Sequence, residues 1–292
     1  MILAPCAAAR AAARQLAGDG AQIDTIAPLE GGTANRGLRL CRLRDGQMFI
    51  EKRTASILEY QIAKRVLADQ RARHQPCPAM LRFLHATAEN GEYLLYTERL
   101  EGVGTNDGWQ WGCEEILARS VHALGQYLER LCADMEPRPR APDILTPLRA
   151  ALGDDTEACT RLTALAPVLQ AQRPVMGHND VFWPNFGLAR VPGYFAFLDF
   201  ALVGPNLPGA EFHHFAQQAG KGARQQAFFQ AVTAQYARLL AVPAGLVRCS
   251  AYAYAAVRAF SREMRRGREE AGRRSARAFF TQAEAALQGG AS

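Results

Sequence analysis

The chain opens on a helical pattern and then changes period. Over residues 1–16, alanines and leucines alternate with Arg10 and Arg14 at helical spacing, which predicts an amphipathic helix. The apolar run at 1–6 has no basic segment before it, so it reads neither as a secretory leader nor, at Cys6, as a lipoprotein site. Residues 23–29 and 37–43 read as strands flanking the turn 30–36. Asp45-Gly46 separates the second of these from a third strand at 47–52, which is a hairpin signal. Helical period returns at 57–68, with Leu58, Ile62 and Val66 on one face, and strands follow at 81–86 and 93–97 around Glu89-Asn90-Gly91. The predicted order is strand, strand, strand, helix, strand, strand.

Beyond Gly102 the period is almost entirely helical: 114–135, 144–152 and 157–171, with a proline-rich break at 137–142. A short, apolar, loop-rich stretch covers 173–201. From about 209 to 287 the pattern is helical again, broken near 220–222 and 242–245. The outline is an α+β fold of two lobes: a small β-rich N-lobe over 1–98 and a larger, mainly helical C-lobe over 99–292.

Composition narrows the function classes. The chain has 292 residues, 49% of them hydrophobic, enough for real cores. Its apolar runs fall far short of the roughly 20 residues that a membrane-spanning helix needs. Seven cysteines, widely spaced and without a Cys-x-x-Cys pair, argue against a disulfide framework and a cysteine zinc site, and for a reducing, cytoplasmic compartment. The net charge is +6, carried by arginine, since Lys52, Lys64 and Lys221 are the only lysines. That balance favours an anionic partner such as a nucleoside triphosphate. The densest basic run, 258–277, alternates with glutamate and alanine at helical spacing and reads as a solvated helix face rather than a nucleic-acid surface.

Candidate chemistry concentrates in His178-Asn179-Asp180-Val181-Phe182-Trp183-Pro184-Asn185, followed fourteen residues later by Asp199 at the end of the apolar run Phe195-Ala196-Phe197-Leu198. Phosphoryl transfer needs a group to orient the attacking hydroxyl and hard oxygen ligands for magnesium. Asp180 and Asn185, five residues apart in a tight loop, can point a carboxylate and an amide into one pocket. Asp199 would be delivered by a buried strand, where a carboxylate is costly unless a cation meets it.

These residues resemble the aminoglycoside phosphotransferase and choline kinase family, which has the protein-kinase-like fold. The family's loop is His-x-Asp-x-x-x-x-Asn, and its second motif is a strand ending in Asp. The resemblance implies a phosphotransferase that moves the γ-phosphate of ATP or GTP to a small-molecule hydroxyl. Asp180 would be the catalytic base, Asn185 and Asp199 the Mg2+ ligands, and His178 a brace for the loop.

Upstream, 29–36 resembles the family's nucleotide loop. Gly31, Gly32, Thr33 and Asn35 are the candidate phosphate contacts, small residues that let backbone N–H groups approach, although the fuller Gly-x-Gly-x-x-Gly pattern is missing. Lys52 fits the strand lysine that contacts the phosphates, with Glu59 on the next helix as its partner and Glu51 as the competitor. The stretch 93–102 resembles the hinge between lobes, which makes Glu98 to Leu100 candidates for backbone contact with the base. Two further segments bear on the match. Cys132 stands where the family often has His after Leu128-Glu129-Arg130-Leu131, and 204–211 resembles the Gly/Pro-rich passage after the magnesium Asp. The resemblance spans about 23–215.

For the acceptor, Phe182, Trp183, Trp109, Trp111, Tyr252 and Tyr254 are candidate wall residues that could hold an amine by cation–π attraction, as in choline, thiamine or an amino sugar. The positive charge counts against a polycationic aminoglycoside unless Glu211, Glu263, Glu269 and Glu270 form a local acidic cleft. A small hydroxylated metabolite is the leading expectation and antibiotic resistance the second. A non-catalytic nucleotide binder conflicts with the complete set Lys52, Asp180, Asn185 and Asp199. A protein kinase conflicts with the absence of an activation-loop-like segment after Asp199.

Overall fold

The computed structural model describes residues 6–29, 37–73, 77–89, 91–102, 112–136 and 143–289. Helix α1 (Ala7–Ala17) is followed by strands β1 (Ile23–Leu29), β2 (Gly37–Leu43) and β3 (Met48–Thr54), helix α2 (Ile57–Arg73), and strands β4 (Phe83–Glu89) and β5 (Glu92–Glu98). The strands form one antiparallel five-stranded sheet in the order β1-β2-β3-β5-β4. This is the element order that the hydrophobic pattern predicts. Helix α2 runs five residues past its expected end at 68.

Strand alternation sorts the sheet into two faces. Cys41, Leu43, Phe49, Leu84, Leu94 and Tyr96 point outward and are covered by Ala8, Ala9, Ala12 and Ala13 of α1. Alanine suits this face because a helix without bulky side chains can lie close to the sheet. Cys6 caps α1 by accepting from Ala9 N at 3.4 Å, and its Sγ lies 3.3 Å from the Tyr96 hydroxyl. The inner face meets α2, whose Ile62, Ala63 and Val66 are buried.

The C-lobe starts with α3 (Glu114–Leu131), α4 (Leu145–Leu152) and α5 (Thr156–Gln170). A loop-rich passage then contains β6 (Val175–Gly177), a 3-10 turn at Trp183–Asn185, β7 (Phe186–Leu188), β8 (Phe195–Phe197) and β9 (Gly204–Asn206). Helices α6 (His213–Ala219), α7 (Ala223–Leu240), α8 (Ala244–Met264) and α9 (Glu269–Gln288) complete the chain. One core runs through both lobes, from Ile62 and Val66 through Phe83 and Phe197 to Trp183, Phe215 and Phe228. Arg65 of α2 adds a polar link by donating to Leu131 O at 3.2 Å and pairing with Asp134.

One helical expectation is corrected. The basic run 258–277 is not a single helix, because α8 stops at Met264 and α9 begins at Glu269. Gly267 sits at φ +68°, and Arg268 N–H returns to Glu263 O at 2.9 Å, which closes the C-terminus of α8. Among the described residues, no single helix is long and apolar enough to cross a membrane.

Candidate active site

The loop between β6 and β7 is built by local hydrogen bonds. His178 is fully buried, which holds its ring neutral, and its Nε2–H donates to Leu198 O at 2.6 Å. Asn179 takes a left-handed conformation, φ +63°, which asparagine tolerates better than most residues. Its amide nitrogen donates to Leu202 O (3.0 Å) and Gly204 O (2.9 Å), and its Oδ1 accepts from Asn206 (3.2 Å). The loop is thereby tied to the segment that follows β8, and this bond set presents Asp180.

Asp180 is held on both oxygens. Asn185 Nδ2 donates to Oδ2 at 2.8 Å and to the Asp180 backbone carbonyl at 2.9 Å, while His214 Nε2 lies 2.9 Å from Oδ1. Burial alone would raise the carboxyl's pKa. The bond from His214 and the neighbouring imidazoles outweigh it and pull the group down to about 2, so Asp180 is ionised at neutral pH. With the Asn185 nitrogen committed to Asp180, its Oδ1 has no hydrogen bond among the described residues.

Asp199 is also left-handed, φ +61°, a strained conformation that turns its carboxylate out of the strand and into the cleft. Lys52 meets it there, with Nζ 3.1 Å from Asp199 Oδ1 and 2.6 Å from Glu59 Oε1. Glu51 lies on the other face of β3 and pairs with Arg39 at 3.3 Å. Sequence spacing left Glu59 and Glu51 as rival partners for Lys52; the structure pairs it with Glu59.

Lys52, Glu59, Glu98, Leu100, Asn185 and Asp199 line one cleft of about 380 Å³ between the lobes. Its remaining walls are apolar, including Leu38, Ile50, Leu81, Phe83, Leu95 and Leu198. An aromatic base joined to an anionic chain requires this polarity: greasy walls near the hinge, a fixed ammonium and carboxylates beyond. Asn185 Oδ1 and the Asp199 carboxylate are hard oxygen donors that suit Mg2+, which accepts one or two protein ligands alongside phosphate oxygens. Gly31, Gly32, Thr33 and Asn35 lie outside the described residues, as do Trp109 and Trp111.

Glu98 is also tied to both lobes. Its N–H is engaged with Arg82 O at 3.0 Å, and its carboxylate accepts from Arg82 N at 2.9 Å and pairs with Arg190. Glu98 therefore anchors the connector through its side chain as well as its backbone N–H. The connector is also bound to β7: Leu188 N donates to Glu101 O at 2.9 Å, and Gly102 bridges Gly187. A Cβ at Gly187 would come within 2.5 Å of Glu101 O, so only glycine admits this approach.

Several acceptor-side expectations are overturned. Trp183 is buried among Phe186, Phe215 and Phe228, and Tyr252 packs on Phe229, so both are core residues. Glu211 is fully buried and takes a hydrogen bond from Tyr236. Burial raises its pKa to about 7. Glu263 is surrounded by Arg262, Arg266 and Arg268, while Glu269 and Glu270 pair with Arg273 and Arg274. None of the four is free to form an acidic cleft. Phe182 and Tyr254 do reach the Asp180 side, packing on His214 and His213 respectively. The two histidines went unremarked in the sequence, where their adjacency was the available signal.

No family model and no curated protein matches the chain. Solved structures do. The GDP complex of wild-type aminoglycoside 2'-phosphotransferase-IIIa is similar at TM-score 0.58 with 12% identity, over 94% of this chain and 95% of that one. Plasmodium vivax ethanolamine kinase is similar at TM-score 0.54 with 10% identity, over 88% of this chain and 82% of its own. An amicoumacin kinase in complex with AMP-PNP and Ca2+ is similar at TM-score 0.53 with 15% identity, over 87% and 88%. The chain has the two-lobed protein-kinase-like fold that these small-molecule kinases share.

Proposed function

We propose that the protein is a small-molecule kinase that transfers the γ-phosphate of ATP or GTP to a hydroxyl. The observation that carries this reading is the convergence of Lys52, Glu59, Asn185 and Asp199 on one interlobe cleft, with Asp180 bonded to Asn185 at its edge. Lys52 would neutralise phosphate charge, held in place by Glu59. Asn185 and Asp199 would hold Mg2+, which supplies charge neutralisation on the phosphates when bound. Asp180, ionised and oriented, would accept the acceptor's hydroxyl proton. His178 and Asn179 hold the loop still while this happens. The lobe boundary falls at 98/99 in this reading.

The acceptor would be a small hydroxylated metabolite rather than a polycationic antibiotic. Pairing or burial of Glu211, Glu263, Glu269 and Glu270 supports that ordering. Seven free cysteines support a reducing, cytoplasmic setting. The test is the thermal unfolding midpoint with ATP and with GTP, each with and without Mg2+, followed by an acceptor panel. A magnesium-dependent upward shift is expected, because ligand binding to the native state adds stability by mass action. No shift at millimolar nucleotide would overturn the reading. Turnover restricted to aminoglycosides would reverse the acceptor ordering.

A further inference from the structure

His213 and His214 open α6 beside Asp180, and the chemistry above needs neither as a reactant. One donor atom from each of Asp180, His213 and His214 lies within 4.8 Å of the other two. His214 Nε2 and Asp180 Oδ1 are 2.9 Å apart. Two ligands held about 2.0–2.1 Å from one tetrahedral zinc ion stand about 3.3 Å apart, so this pair is already near bite distance.

His213 supplies the second, independent observation. It is fully buried, and its Nδ1–H donates to Ala210 O at 3.2 Å. That bond fixes the tautomer and leaves the lone pair on Nε2, which has no hydrogen-bond partner among the described residues. Metal-ligating histidines are held in the same way, with the far N–H on a backbone carbonyl.

We propose that Asp180, His213 and His214 form a transition-metal site that takes Zn2+ through Asp180 Oδ1, His213 Nε2 and His214 Nε2, and so withdraws Asp180 from reaction. Two imidazoles and one carboxylate select zinc and its neighbours, whereas Mg2+ prefers the oxygen donors at Asn185 and Asp199. On binding, the ion would take the place of the proton between His214 Nε2 and Asp180 Oδ1, opening that pair from 2.9 Å to about 3.3 Å and releasing the proton to solvent. The cysteine spacing argued against a thiolate zinc site; the histidine pair makes a site without thiolates. Metal capture does not depend on the kinase reading. Its inhibitory consequence does.

The test uses the full chain carrying Cys6→Ser, stripped by chelator and titrated with Co2+ as a coloured probe. One Co2+ per chain is expected, with a visible absorption band, no thiolate charge-transfer band, bleaching by one equivalent of Zn2+, and indifference to excess Mg2+. His214→Gln and His213→Asn are each expected to weaken binding at least about tenfold. Far-UV circular dichroism checks their folding, and His214→Gln, altering a half-buried ring, serves if His213→Asn misfolds. Absence of the band, or a folded His214→Gln that binds Co2+ as tightly as the parent, overturns the site. Co2+ binding by a chain whose metal-stripped form, resupplied with Mg2+ and nucleotide, turns over no acceptor would keep the site and sink the kinase reading. Turnover unaffected by bound Zn2+ would remove the inhibitory role.

Discussion

Lys52 of β3 and Asp199 beyond β8, 147 residues apart in sequence, are joined by an ion pair of 3.1 Å across the lobe boundary. The same ammonium satisfies Glu59, whose side chain is only 2% exposed. Lys52→Met is therefore expected to act twice. It leaves Glu59 as a buried charge without its cation, a loss of about 3 kcal/mol. It also removes a phosphate contact, with kcat/KM expected to fall by about 10²–10³. Adding Glu59→Gln should return most of the stability and none of the activity. Urea denaturation of the single and double variants checks the first part, and if the double variant were no more stable than Lys52→Met, the coupling would be wrong.

Asp180→Asn keeps the shape of the loop and removes the charge that would accept a proton. Turnover is expected to drop by about 10²–10⁴, the usual contribution of a positioned general base. Nucleotide binding, read as the magnesium-dependent shift in Tm, should stay near the parent value. Asp199→Asn is expected to show the reverse emphasis and lose that shift. Near-parent turnover in Asp180→Asn would remove Asp180 from its assigned role.

Gly209 introduces the turn into α6 at φ +92°, and a Cβ there would lie 2.5 Å from Val247 O. Gly209→Ala is expected to cost about 2 kcal/mol or more, since strain and a backbone clash combine. Gly46, at φ +87°, has nothing within 4 Å of an added Cβ. Gly46→Ala isolates the conformational part, about 1–2 kcal/mol. Equal losses at the two positions would show that Val247 yields.

Burial pushes the Cys41, Cys113 and Cys249 thiols up to about 12 and Cys77 to about 11. At pH 8 these groups stay protonated and shielded, so the native chain should be alkylated first at exposed Cys6, then at half-buried Cys159. Peptide mapping by mass spectrometry after brief iodoacetamide treatment checks the order. Rapid labelling of Cys249 would mean that the α8 region opens far more readily than its burial implies.

What could be read in the sequence was what local pattern encodes. Alternation and the Asp45-Gly46 turn carry the succession of strands along the chain, and the spacing of Asp180, Asn185 and Asp199 is a property of one short passage. Tertiary placement was not legible. His214 reaches Asp180 across 34 residues only because α6 docks where it does. Phe182 and Trp183 are neighbours in sequence, yet the 3-10 turn sends one toward His214 and the other into the core. Glu211 carries the same charge as the exposed glutamates, and nothing local marks it as buried. The break at Gly267 was masked because arginines on both sides preserve helical charge spacing.

The attachment of the hinge to β7 has a mechanical consequence. With Glu101 and Gly102 bonded to Leu188 and Gly187, and Glu98 paired with Arg190, the Glu98–Leu100 end of the cleft is pinned to the ladder beside the Asp180 loop. Rocking of the small lobe would pivot there. The long arm of that lever is the free edge of the sheet at β1 and β2, where leverage multiplies a small rotation into the largest travel. Asp180 and Asn185, in the loop that leads into β7, would lie near the fulcrum and travel least. Opening the cleft to exchange its contents would therefore leave the carboxylate and amide in register, ready for the next closure.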